Sequence, residues 1–285
     1  MISPAPRIAF HASSDGYRCA VRVWDAPQPP ARVVFLHGII SHGGWYHASC
    51  RALAEAGFEV HFLDRRGSGL NFDARGDVPR SWRTWLSDVE SFLEFLPRDV
   101  PRLLMGISWG GKLAAAVARH RPELVGGLGL LCPGIFARKG ANALQRLVLQ
   151  WAGRRWMRMW HVPIPLRDPA LFTDEPAWRG YIADDPLTLR RVTLRFALED
   201  LYLSQYASEA PEEIRAPVLL TLAGRDRIID NRRVRAFVER IPAEKQITEY
   251  PAAAHTLEYE PDPAPYFRDL VAWCRLNAQV SAHIA

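Results

Sequence analysis

The chain has 285 residues, a formal net charge of +5, 48% hydrophobic and 24% charged residues, the make-up of a soluble globular protein rather than a disordered or fibrous one, with a length that suits one large α/β domain with an insertion, or two domains. No apolar run reaches the ~18 residues of a membrane span. Met1 to Phe10 lacks the basic-then-apolar pattern of a secretory signal, so a cytoplasmic location is expected.

Tyr17 to Asp25 alternates as an opening strand, which Ala26 to Pro30 ends. Arg32-Val33-Val34-Phe35-Leu36 reads as a strand buried on both faces, leading into His37-Gly38-Ile39. A helix to Ala56, stopped by Gly57, precedes a strand over Phe58 to Leu63 and the turn Asp64-Arg65-Arg66-Gly67-Ser68-Gly69. Trp82, Trp85, Leu86, Val89, Phe92, Leu93 and Leu96 recur at helical spacing, with Ser81 as the expected N-cap and Pro97 as the stop. An apolar strand from Leu103 then runs into Gly106-Ile107-Ser108-Trp109-Gly110 and a helix of small residues to Arg119.

Gly126 to Leu131 is a further buried strand. Between Pro133 and Pro211 the alternation stops: this stretch reads as helical, Trp-rich and Pro-broken, with no strand expected. Strands at Pro217 to Ala223 and Gln246 to Tyr250, with helices at Asn231 to Ile241 and Pro265 to Leu276, close the chain. Strands alternating with helices predict a mostly parallel sheet covered on both faces. The core is expected over 1–132 and 212–285, with 133–211 as a helical cap.

Seven basic residues and no acidic ones lie between Pro133 and Arg167: Arg138, Lys139, Arg146, Arg154, Arg155, Arg158 and Arg167. They exceed the whole net charge, so basicity is local, and nucleic acid is not an expected partner. Cys19, Cys50, Cys132 and Cys274 form no C-x-x-C pair and are expected as reduced thiols. No metal-ligand spacing is present, and Arg66-Gly67-Ser68-Gly69 does not complete a dinucleotide fingerprint, so neither metal nor cofactor is expected.

Gly106 to Gly110 matches the G-x-S-x-G nucleophile elbow in its strand–turn–helix context. Ser108 must sit on a strained turn, and Gly106 and Gly110 must lack Cβ atoms where strand and helix converge. Asp226, in Gly224-Arg225-Asp226, and His255 both follow strands, so all three side chains are brought to one sheet edge. Asp230 competes as the acid, but the Gly-x-Asp spacing favours Asp226; His42, His47 and His120 compete as the base, but they break the Ser-Asp-His chain order of α/β-hydrolases, which Ser108, Asp226 and His255 keep.

From Tyr17 to Leu276 the chain resembles α/β-hydrolases of the monoacylglycerol lipase and lysophospholipase group. The marks are His37-Gly38, Asp64 to Gly69, the elbow, Gly224 to Asp226 and His255. The resemblance implies an α/β-hydrolase fold and a serine hydrolase of carboxylic esters. It also implies an oxyanion hole made by the amides of Ile39 and Trp109, with His37 bracing the loop. His37, Gly38, Trp45 and Trp151 are the candidate substrate-binding residues.

Leu144, Leu147, Val148 and Trp151 form an apolar stripe, expected either to pack on the core or to wall an acyl chain. The basic, Trp-rich segment around it is a candidate contact for an anionic lipid surface. The second resemblance is to proline iminopeptidases, for which Asp184, Asp185, Glu199 and Asp200 would bind the substrate amine. An acyltransferase and a non-catalytic binding protein are the remaining alternatives.

Overall fold

A computed structural model describes residues 5–280 apart from 139, 141 and 155. Lys139 and Arg155, two of the seven basic residues above, lie outside the described residues. Eight strands form one sheet: β1 (Arg7–Ala12), β2 (Arg18–Trp24), β3 (Arg32–Leu36), β4 (Glu59–Leu63), β5 (Arg102–Ile107), β6 (Gly127–Leu131), β9 (Val218–Ala223) and β10 (Lys245–Tyr250). Their order is β1-β2-β4-β3-β5-β6-β9-β10, and from β4 to β10 every pairing is parallel. Only β2 runs against its neighbours. This is the α/β-hydrolase arrangement expected above.

The apolar runs explain the burial. Every residue of β3, β5, β6 and β9 is buried, as a parallel strand covered on both faces requires. Helix α1 (His47–Glu55) packs with α8 (Ala264–Val280), whereas α2 (Arg83–Phe95) packs with α3 (Trp109–His120). The two pairs cover opposite faces. In β5, Gly106 turns toward α3, while Gly127 of β6, in register with Leu103, turns toward Trp273 of α8.

Three local expectations need correction. Strand β1 was not foreseen, because its outward Ile8 and Phe10 are exposed and the segment shows no apolar-in pattern. Helix α2 begins at Arg83 after Trp82, and Ser81 contributes its carbonyl to the Thr84 amide rather than a side-chain cap. The stretch between β6 and β9 contains a short antiparallel ribbon, β7 (His161–Pro163) with β8 (Arg191–Thr193), alongside α4 (Ala143–Ala152), α5 (Pro176–Asp184) and α6 (Leu194–Ser208). Strands of three residues are too short to register as an alternation. Helix α6 packs on α3 and carries α4 on its other side, so the insertion stands over the elbow helix. Helix α7 (Asn231–Glu239) follows β9.

Candidate active site

At the end of β5 the chain reverses through Ser108, whose φ of 52° and ψ of −118° lie outside the regions an L-residue prefers. Sterics at the flanking glycines explain how strand and helix come so close. A Cβ on Gly106 would sit 2.4 Å from the Gly110 carbonyl oxygen, and one on Gly110 would sit 2.2 Å from that of Leu36. The strained turn is pinned on both sides. The Ser108 amide donates to Leu131 O at 3.0 Å, and Ser108 O accepts from Gly111 and Gly134 at 2.8 and 2.6 Å.

Asp226 and His255 meet two strands away. The imidazole Nδ1 lies 2.7 Å from Asp226 Oδ2, both side chains being buried. The other carboxylate oxygen accepts the amides of Ile228 and Ile229 at 2.7 and 2.9 Å. Burial pushes the Asp226 carboxyl up, but the charge and hydrogen bond of His255 and the two amides outweigh it and hold it below the usual value. With Asp226 ionised, Nδ1 carries the proton and Nε2 the lone pair. Among the described residues Nε2 has no hydrogen-bond partner.

Asp230 caps α7 by accepting the Arg233 amide at 3.1 Å. The competing histidines are placed elsewhere: His42 bonds Asp185 at 2.8 Å, His47 packs edge-on against Trp24, and His120 bonds Glu90 at 2.7 Å.

The loop after β3 approaches Ser108 closely. A Cβ on Gly38 would lie 3.4 Å from Ser108 Cβ and 3.7 Å from Ser108 Oγ. His37 is buried, and its Nε2 accepts the Arg65 amide at 2.8 Å, so Nδ1 is the protonated nitrogen, donating to Gly38 O at 2.7 Å. Burial, helped by the Arg65 charge, drives its pKa down to about 3. Ile39 follows this braced pair. Trp109 opens α3, where the first amides of a helix have no intrahelical acceptor.

The candidate substrate contacts are placed as follows. His37 has both ring nitrogens engaged within the protein. Trp45 is buried, donates to Asp185 at 2.7 Å and packs on Phe172, Tyr181 and Tyr259, so it supports the insertion from below. Trp151 lies on α4 and is exposed.

Sequence reasoning missed Phe172, whose ring meets His255 edge-on at 5.8 Å and whose carbonyl accepts the Thr256 amide at 2.9 Å. No local signal marks it, because the contact crosses from the insertion to the last loop. It also missed Glu258, which the spacing after His255 leaves in plain view. Burial pushes its carboxyl up to about 8 against hydrogen bonds from Ser49 and Ala48.

Residues 27–262 match the model of the Hydrolase_4 family, described as serine aminopeptidase, S33. The chain belongs to this family. It is 25% identical over 279 residues to a monoacylglycerol lipase of Mycolicibacterium smegmatis, covering 96% of this chain and 98% of that one. With the human monoglyceride lipase it shares 24% identity over 87% of this chain and 83% of the relative. The crystal structure of a Paleococcus ferrophilus monoacylglycerol lipase superposes with a TM-score of 0.82 at 25% identity, covering 91% of this chain and 99% of that one. The family match runs from before β3 to past β10 and so takes in the elbow and the insertion. The chain is a carboxylic ester hydrolase of the α/β-hydrolase fold.

Proposed function

We propose that Ser108 is the nucleophile, His255 the general base and Asp226 the acid that orients it. The observation that carries this reading is the 2.7 Å contact of His255 Nδ1 with Asp226, which leaves Nε2 as the basic nitrogen. His255 Nε2 takes the Ser108 proton as Oγ bonds the acyl carbon, and the carbonyl electron pair moves onto oxygen. The amides of Ile39 and Trp109 receive that oxyanion, a single such donor being worth roughly 3–4 kcal/mol. Collapse expels the alcohol, which takes the proton from His255, and leaves an acyl-enzyme. Water, deprotonated by His255, then releases the acid and restores Ser108.

The substrate we propose is a single-chain lipid ester, a monoacylglycerol or a lysophospholipid. Full-length similarity to monoacylglycerol lipases supports this. So does the insertion, proposed as a cap over 133–211. On α4, Leu144, Leu147, Val148 and Trp151 repeat at helical spacing, and all four are 52–69% exposed. They do not pack on the core. Trp156, Met159 and Trp160 continue the apolar surface, bordered by Arg154 and Arg158. An apolar face ringed by cations suits the interface of an anionic lipid layer. A reducing compartment such as the cytoplasm is proposed from the four cysteines, all free and buried.

The family description keeps an aminopeptidase in view, but three of the four carboxylates that would bind an amine are engaged, the fourth, Asp184, being exposed at the end of α5. Asp185 is bonded by His42 and Trp45, Glu199 accepts the Trp82 amide, and Asp200 accepts from Trp109 and Lys112. Assay of p-nitrophenyl acyl esters of increasing chain length beside proline p-nitroanilide tests both readings. Ester turnover without anilide turnover is expected, with Ser108→Ala lowering kcat by on the order of 10⁶. Anilide turnover exceeding ester turnover would overturn the substrate class, and more than a few per cent of activity in Ser108→Ala would overturn the nucleophile.

A further inference from the structure

Arg65 follows β4 and is buried, yet it makes no ion pair among the described residues. Burying an unneutralised guanidinium is costly, so its surroundings call for an explanation. Its main-chain N–H donates to His37 Nε2 at 2.8 Å, and its Nη2 donates to Ile39 O at 3.0 Å. His37 passes the first contact on by donating to Gly38 O at 2.7 Å. The carbonyls on both sides of Ile39 are therefore held by Arg65, one through His37 and one directly. In a trans peptide the N–H points opposite to the C=O, so pinning Gly38 O fixes the direction of the Ile39 N–H.

The guanidinium also reaches the other half of the hole. Its central carbon lies 4.4 Å from the Trp109 ring centroid and 5.3 Å from that of Phe196. At the ring edge, Asp200 accepts the Trp109 indole N–H at 2.5 Å, so the ring is held by a cation over its face and a carboxylate at its edge. Nε and Nη1 of Arg65 are buried with no hydrogen-bond partner among the described residues.

We propose that Arg65 is the positioning residue of the oxyanion hole. It sets the peptides flanking Ile39, packs on Trp109, and places beside the two donors a positive charge that Asp64 and Asp200 oppose only from beyond ion-pair distance. This rests on the reading of Ser108 as nucleophile with Ile39 and Trp109 as amide donors. A preset donor and a fixed charge act on the transition state far more than on the bound ester.

The test uses Arg65→Met and Arg65→Lys in the full chain. Readouts are kcat and KM on a p-nitrophenyl ester, affinity for a trifluoromethyl ketone that forms a tetrahedral adduct, and Tm. Arg65→Met is expected to lower kcat about 100-fold and weaken the ketone in proportion, with KM within about twofold. Arg65→Lys keeps the charge without the fork and is expected to recover part of kcat. A folded Arg65→Met with unchanged kcat, or one whose loss lies in KM alone, would overturn the proposal. If Arg65→Met does not fold, Arg65→Lys decides: kcat equal to the parent overturns it, and a lower kcat at constant KM supports it. Fluorophosphonate labelling separates the two levels. Absence of label at Ser108 sinks the nucleophile reading, whereas labelling at Ser108 with unchanged kcat in the Arg65 variants sinks only the role of Arg65.

Discussion

The sheet edge that carries Ser108, Asp226 and His255 and the insertion between β6 and β9 are built to different tolerances. At the edge, β5 and β9, which lead to Ser108 and Asp226, are buried along their whole length, and the glycines around Ser108 leave no room for a Cβ. In α4 only Ala152 is buried, and the apolar stripe faces outward. A strained nucleophile turn persists only where neighbouring backbone over-determines it. An element that meets substrate or a lipid surface needs the opposite, an apolar face that the protein itself leaves uncovered. On the proposed function, reaction geometry and substrate choice are divided between a region of dense packing and one of sparse packing.

The largest effect is expected inside the dense region. Asp226→Asn is expected to lower kcat by about 10⁴, because the amide no longer enforces the Nδ1–H tautomer of His255. Asp230→Asn keeps a capping oxygen and is expected to stay within a few fold. Kinetics of both variants on one ester check this, and a reversal of the two effects would move the acid to Asp230.

A stability measurement probes the same region without chemistry. Glu258 sits three residues past His255 and ties that loop to the start of α1 through Ser49 and Ala48. Burial raises its carboxyl from 4.5 to about 8 in the folded state. Folding therefore favours the protonated acid: its contribution is complete below about pH 4.5 and is lost as pH rises toward about 8. Glu258→Gln cannot ionise, so its Tm relative to the parent is expected to climb by several degrees across that window. A Tm difference that is flat with pH would show that Glu258 is ionised in the fold.

The smallest effect is expected in the sparse region. Replacing Leu147, Val148 and Trp151 together by serine should cut hydrolysis of a monoacylglycerol in anionic vesicles by about tenfold, through lost apolar insertion. A short soluble ester should be turned over within about twofold of the parent rate. Sedimentation with vesicles at low and high salt gives the binding term directly. Equal losses on vesicle and soluble substrates would assign the stripe to folding instead.

Much of the dense region was legible because its signals are local. Continuous apolar runs mark β3, β5, β6 and β9, and Gly106-Ile107-Ser108-Trp109-Gly110 carries its own steric logic. Strand β1 was invisible because its apolar side chains point to solvent. The β7–β8 ribbon was invisible because three residues make no period. Trp45 and His37 stand among the candidate substrate-binding residues of the sequence, His37 also as the brace of its loop. Burial and hydrogen bonding turned them into supports.

By itself the sequence determined the buried strands and the helices between them, that a serine sits on a tight strand–helix turn, and that an aspartate and a histidine follow later strands in chain order. Those features depend on side-chain period, chirality and the missing Cβ of glycine, all short-range properties. Only the tertiary structure decided that Asp226 rather than Asp230 meets His255, that the α4 stripe points away from the core, and that Arg65 reaches both Ile39 and Trp109. Each of these is a contact between segments far apart in the chain, set by how the layers pack. Periodicity can say that a helix has an apolar face, but what that face meets is decided by its neighbours in space.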